Sequence, residues 1–145
     1  MKKISATAKI LVNIDVENLG RAIKFYSDGL GLKSDLRLGP TIQQMRGAAS
    51  PIFLLEKPSG SRAAPPSHKR TYRRHWTPVH LDFVVKDLAK AVKKAVAAGA
   101  KLEAAPKTHN WGQTAMLSDP FGHGFCLIQF SKRGYAELIP ARKKK

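Results

Sequence analysis

Between positions 57 and 76 the chain gathers Lys57, Arg62, Lys69, Arg70, Arg73 and Arg74 with His68 and His75, and no acidic residue. Tyr72 and Trp76 are interleaved. Cations spaced among aromatic rings can neutralise phosphates and stack on the bases of a single strand. The plainer reading is a solvated basic linker. A second group is His109-Asn110-Trp111-Gly112, where an aromatic and polar side chains could grip a ligand, although loops also collect such residues for turn geometry. His80 lies in an apolar alternation, as a polar handle for a ligand or as a satisfied core histidine. Cys126, the only cysteine, sits in Phe125-Cys126-Leu127-Ile128, where a free cysteine serves as a small buried hydrophobe. No serine stands in a nucleophile-elbow pattern, and no glycine loop is shaped to cradle phosphate.

The elements that carry these residues are written twice. Val79 to Val85 alternates at period two, which predicts a strand. Asp87 can cap a following helix over 88–98, where Leu88, Ala91, Val92, Ala95 and Val96 recur at helical spacing and Gly99 closes it. In the same register 69 positions upstream lie a strand over 9–16, a cap at Asn18 and a helix over Leu19 to Ser27. Strands are then predicted at 33–37, 42–46 and 52–56, and in the second copy at 101–104, 113–118 and 124–130. A loop is expected over 106–112, and Asp119-Pro120-Phe121-Gly122 reads as a tight turn. The order is β-α-β-β-β, repeated. The predicted fold class is therefore α+β, two βαβββ modules in tandem. The boundaries are a first module at 1–57, a basic linker at 58–76, a second module at 77–132 and a basic tail at 133–145.

The chain has 145 residues, 43% of them hydrophobic, enough for a core, and no apolar run long enough to span a bilayer. The basic N-terminus lacks the apolar segment of a signal peptide, and with a single cysteine the expected location is the cytoplasm. A net charge of +16 favours anionic partners, with any nucleic-acid binding weak and non-specific.

The pattern Val-x-Asn-Leu-x-x-Ala-x-x-Phe-Tyr-x-x-x-Leu-Gly-Leu from Val16 to Leu32, His80 in a strand and Asp119-Pro120-x-Gly122 resemble the vicinal oxygen chelate superfamily. That superfamily groups glyoxalase I, bleomycin-resistance proteins, fosfomycin-resistance enzymes and extradiol dioxygenases. The likeness runs nearly the whole way to Phe130, and one such fold hosts many chemistries. It implies a cup-shaped sheet around a divalent metal, with ligand positions that map here to Leu11, Glu56, His80 and Cys126. Glu56 and His80 match the pattern. Leu11, which cannot bind a metal, and Cys126 depart from it.

The resemblance therefore implies a small-molecule binder, with an anionic organic ligand held by Glu56, His80, Trp111, Cys126 and Arg46 in a cup whose metal site is degraded. No cofactor is expected, and a divalent metal on the residual candidates Glu56, His80 and Cys126 stays the alternative. With that metal the chain would be a lyase or dioxygenase. A polyanion or nucleic-acid binder acting through the basic linker and tail is the third reading. The expected working unit is a homodimer.

Overall fold

The computed structural model describes residues 8–64 and 67–142. Expectations that fall on residues 1–7, on Pro65 and Pro66 or on 143–145, the end of the basic tail included, lie outside the described residues. The chain divides into two compact units. One is Met1–Ser27 with Gly31–Thr71, the other Asp28–Leu30 with Tyr72–Lys145. Residues 58–71 of the basic segment thus belong to the first unit and 72–76 to the second.

In the first unit the elements are β1 (Val12–Val16), α1 (Leu19–Asp28), β2 (Lys33–Arg37), β3 (Ile42–Arg46) and β4 (Ile52–Glu56). They form a sheet in the order β1-β4-β3-β2, with β1 parallel to β4 and the other pairs antiparallel. Period-two alternation sends Ile14, Val16, Met45, Ile52 and Leu54 to the buried face, and Leu19, Ala22, Phe25 and Tyr26 of α1 are buried with them. Asn18 caps α1 through its side-chain oxygen, which accepts from the N–H of Arg21 at 2.9 Å. After β4 the chain doubles back, with Arg62 and Lys69 bridged antiparallel.

The second unit holds β5 (Leu81–Val84), α2 (Leu88–Ala97), β6 (Lys101–Leu102), β7 (Lys107–His109), β8 (Gly112–Ser118) and β9 (Gly124–Phe130). Its sheet order, β5-β9-β8-β6 with β7 also on β8, repeats the first. Asp87 caps α2 by accepting from Lys90 N–H, and Gly99 takes the left-handed backbone after it. Leu88, Ala95, Leu117, Phe121, Phe125 and Leu127 make the core. The architecture is thus α+β, with two α-helices and two sheets in tandem repeats among the described residues.

Several bounds differ from those read in the sequence, β5 and β6 being shorter than the predicted 79–85 and 101–104. Ile10 and Leu11 lie outside β1 and are exposed, because pairing with β4 begins at Val12 opposite Ile52. The loop expected over 106–112 contains β7, which pairs antiparallel with β8 from Lys107–Thr114 to His109–Gly112. Within the segment expected as tail, Gly134–Leu138 forms a short 3-10 helix. No helix among the described residues is long and apolar enough to cross a membrane.

Candidate ligand site

The open face of the second sheet gathers the chemistry. Leu81 and Phe83 turn toward the buried side, where the Phe83 ring meets that of Phe125 edge-on at 6.0 Å. Alternation then places Asp82 and the preceding His80 on the other face. The register sets Asp82 beside Cys126 and Cys126 beside Met116, one row across three strands. His80 Nε2 lies 3.1 Å from Asp82 Oδ1. One donor atom from each of His80, Asp82 and Cys126 lies within 4.8 Å of the other two. Burial pushes the Cys126 thiol up to about 11, and the charge and hydrogen bond of Asp82 add to the effect. At neutral pH the thiol is therefore protonated and donates to the carboxylate.

His80 and Cys126 line a pocket with Trp76, Thr77, Met116 and Arg74. Its wall is built by residues 72–77. The Tyr72 ring packs edge-on against Phe121 and His123, and the Tyr72 carbonyl crowds Gly122, where an added Cβ would come within 2.6 Å. Gly122 has φ of 81°, so the turn needs glycine twice over. Beyond it Arg74 binds Glu103 through Nε–Oε2 at 2.7 Å and Nη2–Oε1 at 2.9 Å. The pair raises the Arg74 pKa and lowers that of Glu103, each mainly through the shared hydrogen bonds.

Of the residues expected at the site, the structure brings His80 and Cys126 together. Trp111 is elsewhere: it stacks on His109 with ring centroids 4.6 Å apart and adjoins Phe130 and Tyr135. Arg46 is exposed at the end of β3 in the first unit. Glu56, also in the first unit, accepts the backbone N–H of Leu19 at 2.8 Å, at the start of α1. Its counterpart is Gln129, which accepts from Leu88 N–H at 2.7 Å at the start of α2. Glu56 is thus a helix-terminus acceptor in this structure, and the first-unit position equivalent to Cys126 is Phe53. Arg74 and Trp76 were read as part of the basic linker, while Asp82, Met116 and Glu103 escaped the sequence reading. Of those three, Asp82 had a signal there, two positions after His80 on a period-two strand.

A family model described as a glyoxalase-like domain matches residues 11–128. The chain belongs to that glyoxalase-like family. Among curated proteins it is similar to the anthracycline biosynthesis protein DnrV of Streptomyces peucetius, 27% identical over 124 residues, which are 86% of this chain and 42% of that one. The chain thus spans about two fifths of the length of that relative. Among solved structures it is similar to the fosfomycin-resistance protein FosX of Listeria monocytogenes complexed with Mn(II) and 1S,2S-dihydroxypropylphosphonic acid. That match has a TM-score of 0.70 at 14% identity and covers 94% of this chain and 100% of the other. The antibiotic-binding protein TnmS3 from Streptomyces sp. CB03234 matches with a TM-score of 0.60 at 22% identity, over 88% and 99% of the two chains. A lactoylglutathione lyase from Agrobacterium tumefaciens matches with a TM-score of 0.59 at 20% identity, over 86% and 95%. These likenesses show that the chain shares the fold of those proteins.

The fold implies a divalent metal, and His80, Asp82 and Cys126 form a three-donor cluster able to hold a metal ion. The set does not fit a hard, oxygen-seeking ion. Its single carboxylate already accepts from both neighbours, and the other two donors are an imidazole and a sulfur.

Proposed function

We propose that this protein binds a small organic anion on the open face of its second sheet and does not act through a hard divalent metal. The observation that carries this is the gathering of His80, Asp82 and Cys126 on one floor, with the exposed Trp76 and Met116 as apolar surface beside it. Ligand pockets combine such apolar walls with a few convergent polar groups. The polar cluster orients the ligand. The excess of 26 Lys+Arg over 10 Asp+Glu draws the anion in. The antibiotic-related relatives support an organic ligand of that kind. The reading includes a cytoplasmic location, where Cys126 stays a thiol.

The cavity within the second unit is about 100 Å³. Small-molecule pockets run to about 300–1,000 Å³, so this one needs a further wall. A second copy of the chain supplies it in this reading, in a two-fold homodimer. The metal-dependent lyase or dioxygenase reading has less support, because Glu56 is committed to α1. The polyanion reading loses two cations, since Arg70 is paired with Asp15 at 2.7 Å and Arg74 with Glu103.

Thermal unfolding with a panel of organic anions, fosfomycin and an anthracycline included, tests the proposal. A ligand that binds the folded state raises the transition temperature, and His80→Ala is expected to remove the shift. A protein that no member of the panel stabilises, and that carries no co-purifying small molecule by native mass spectrometry, refutes it.

A further inference from the structure

We infer that the second unit holds a separate ligand site behind its sheet, between β5 and α2, for a single-ring aromatic carboxylate. This site is independent of the organic-anion reading above and uses none of the open face. Val12 and Leu81, which open β1 and β5, are 69 positions apart, as are Leu19 and Leu88, which open α1 and α2, so the two copies correspond residue by residue. In the first unit Ile14, Val16, Ala22, Phe25 and Tyr26 fill the space between strand and helix, and all are buried. The same positions of the second unit hold Phe83, Val85, Ala91, Lys94 and Ala95. Lys94 and Ala95 in place of Phe25 and Tyr26 take two aromatic rings off the helix face, and Phe83 in place of Ile14 returns part of that volume. What is left is a cavity of about 170 Å³, whose lining includes Leu30, Phe83, Val85, Ala91, Lys94 and Leu127. Leu30, like the rest, belongs to the second unit.

Phe83, Val85 and Ala91 are only half-buried, where Val16 and Ala22 are sealed. A guest that covers their remaining apolar surface gains the free energy of removing it from water. A dry apolar cavity of about 150 Å³ accepts a benzene ring, so the space suits one ring and not two. It lies below the ~300 Å³ at which pockets for drug-sized ligands begin. Lys94 sets the charge of the guest. It is exposed, and among the described residues that line the cavity it alone is charged. Its ammonium can meet a carboxylate at the rim while the methylenes of its stem lie over the ring. A cationic guest would meet Lys94 as a like charge.

The test is NMR of the full chain with labelled alanine and leucine methyls, using benzoate as the probe, benzamide as its neutral isostere and 2-naphthoate as a two-ring rival. At millimolar concentration the benzoate ring protons are expected to give NOEs to the methyls of Ala91 and Leu127, a wild-type readout that needs no variant to fold. Benzoate should bind about 5-fold more tightly than benzamide, the range of a solvent-screened ion pair, and Lys94→Met should erase that preference. Lys94→Phe, which installs the ring of the first unit, should abolish the NOEs, raise the unfolding temperature and leave the mass by light scattering unchanged. His80→Ala should leave the NOEs in place, so a failure of the open-face reading and a failure of this site are told apart. The site is refuted if the wild type gives no NOE to these two methyls, if benzamide or 2-naphthoate binds there as tightly as benzoate, or if Lys94→Phe still shows the NOEs. A changed mass for Lys94→Phe would assign the face to a second copy of the chain and refute it equally.

Discussion

Arg74 and Glu103, 29 residues apart, meet through two charge-assisted hydrogen bonds and tie the segment before β5 to the chain after β6. The side chains are 34% and 27% exposed, so solvent screening holds the pair to about 0.5–1 kcal/mol. The Glu103 pKa is lowered from 4.5 by the Arg74 hydrogen bonds. Its contribution is therefore present above the unfolded-state pKa and is lost as pH falls through the folded one. Glu103→Gln is expected to lower the denaturant midpoint at pH 7 by a margin that narrows as pH falls below the usual carboxylate range, as chemical unfolding across that range will show.

Cys126 is expected to be slow toward alkylation. Its thiol is raised from 9.0 to about 11, mainly by burial and then by Asp82, so little thiolate exists at pH 7. The rate with iodoacetamide should keep climbing beyond pH 9, and Asp82→Asn should move the profile to lower pH. Because the unfolded thiol ionises first, folding stability is expected to fall as pH rises from about 9 to about 11. Thermal unfolding across that window measures the fall.

Glu56→Ala and Gln129→Ala should behave alike, since each removes the acceptor for the first N–H of a helix. A cost of about 0.5–2 kcal/mol is expected from each. Glu56→Ala should leave binding of an organic anion on the open face of the second sheet intact. Paired unfolding and ligand titrations of the two variants separate a helix-end role from a ligand role.

Gly122→Ala forces a side chain onto a left-handed backbone and toward the Tyr72 carbonyl. It should cost about 1–3 kcal/mol and loosen residues 72–77. Increased amide exchange over that segment, with β1–β4 unchanged, is the expected signature.

The proposed homodimer makes a direct prediction for light scattering. At micromolar concentration the mass should be twice 15.9 kDa. A monomer that still binds its organic ligand would remove the second copy from the pocket.

Much of this fold was legible in the chain. Asn18 and Asp87 announced the helix starts, and alternation bounded by glycine and proline turns marked β2, β3, β4 and β9 at their observed ends. β7 escaped because Lys107-Thr108-His109 has no apolar alternation and owes its shape to pairing with β8. The site was half legible. The family resemblance pointed to His80 and Cys126, whereas Glu56, which it offered beside them, accepts at the start of α1. Leu19 and Leu88 lie 69 positions apart while Glu56 and Gln129 lie 73 apart, so the spacing that fits the helices slips at the last strands. Trp76, Arg74 and Glu103 meet only through tertiary packing, which no local pattern records.

The repeat also supplies an internal reference. Where the second sheet offers His80, Asp82, Cys126 and Met116, the equivalent positions of the first sheet hold Leu11, Asn13, Phe53 and Gln44. One copy has kept a donor at every corner and the other has none that ligates well. The protein thus carries its own blank, a silent twin of the site on a matching backbone. Transplanting the four donor residues into that twin would ask whether a sheet of this shape suffices for the chemistry, or whether the surroundings of Cys126 are needed as well.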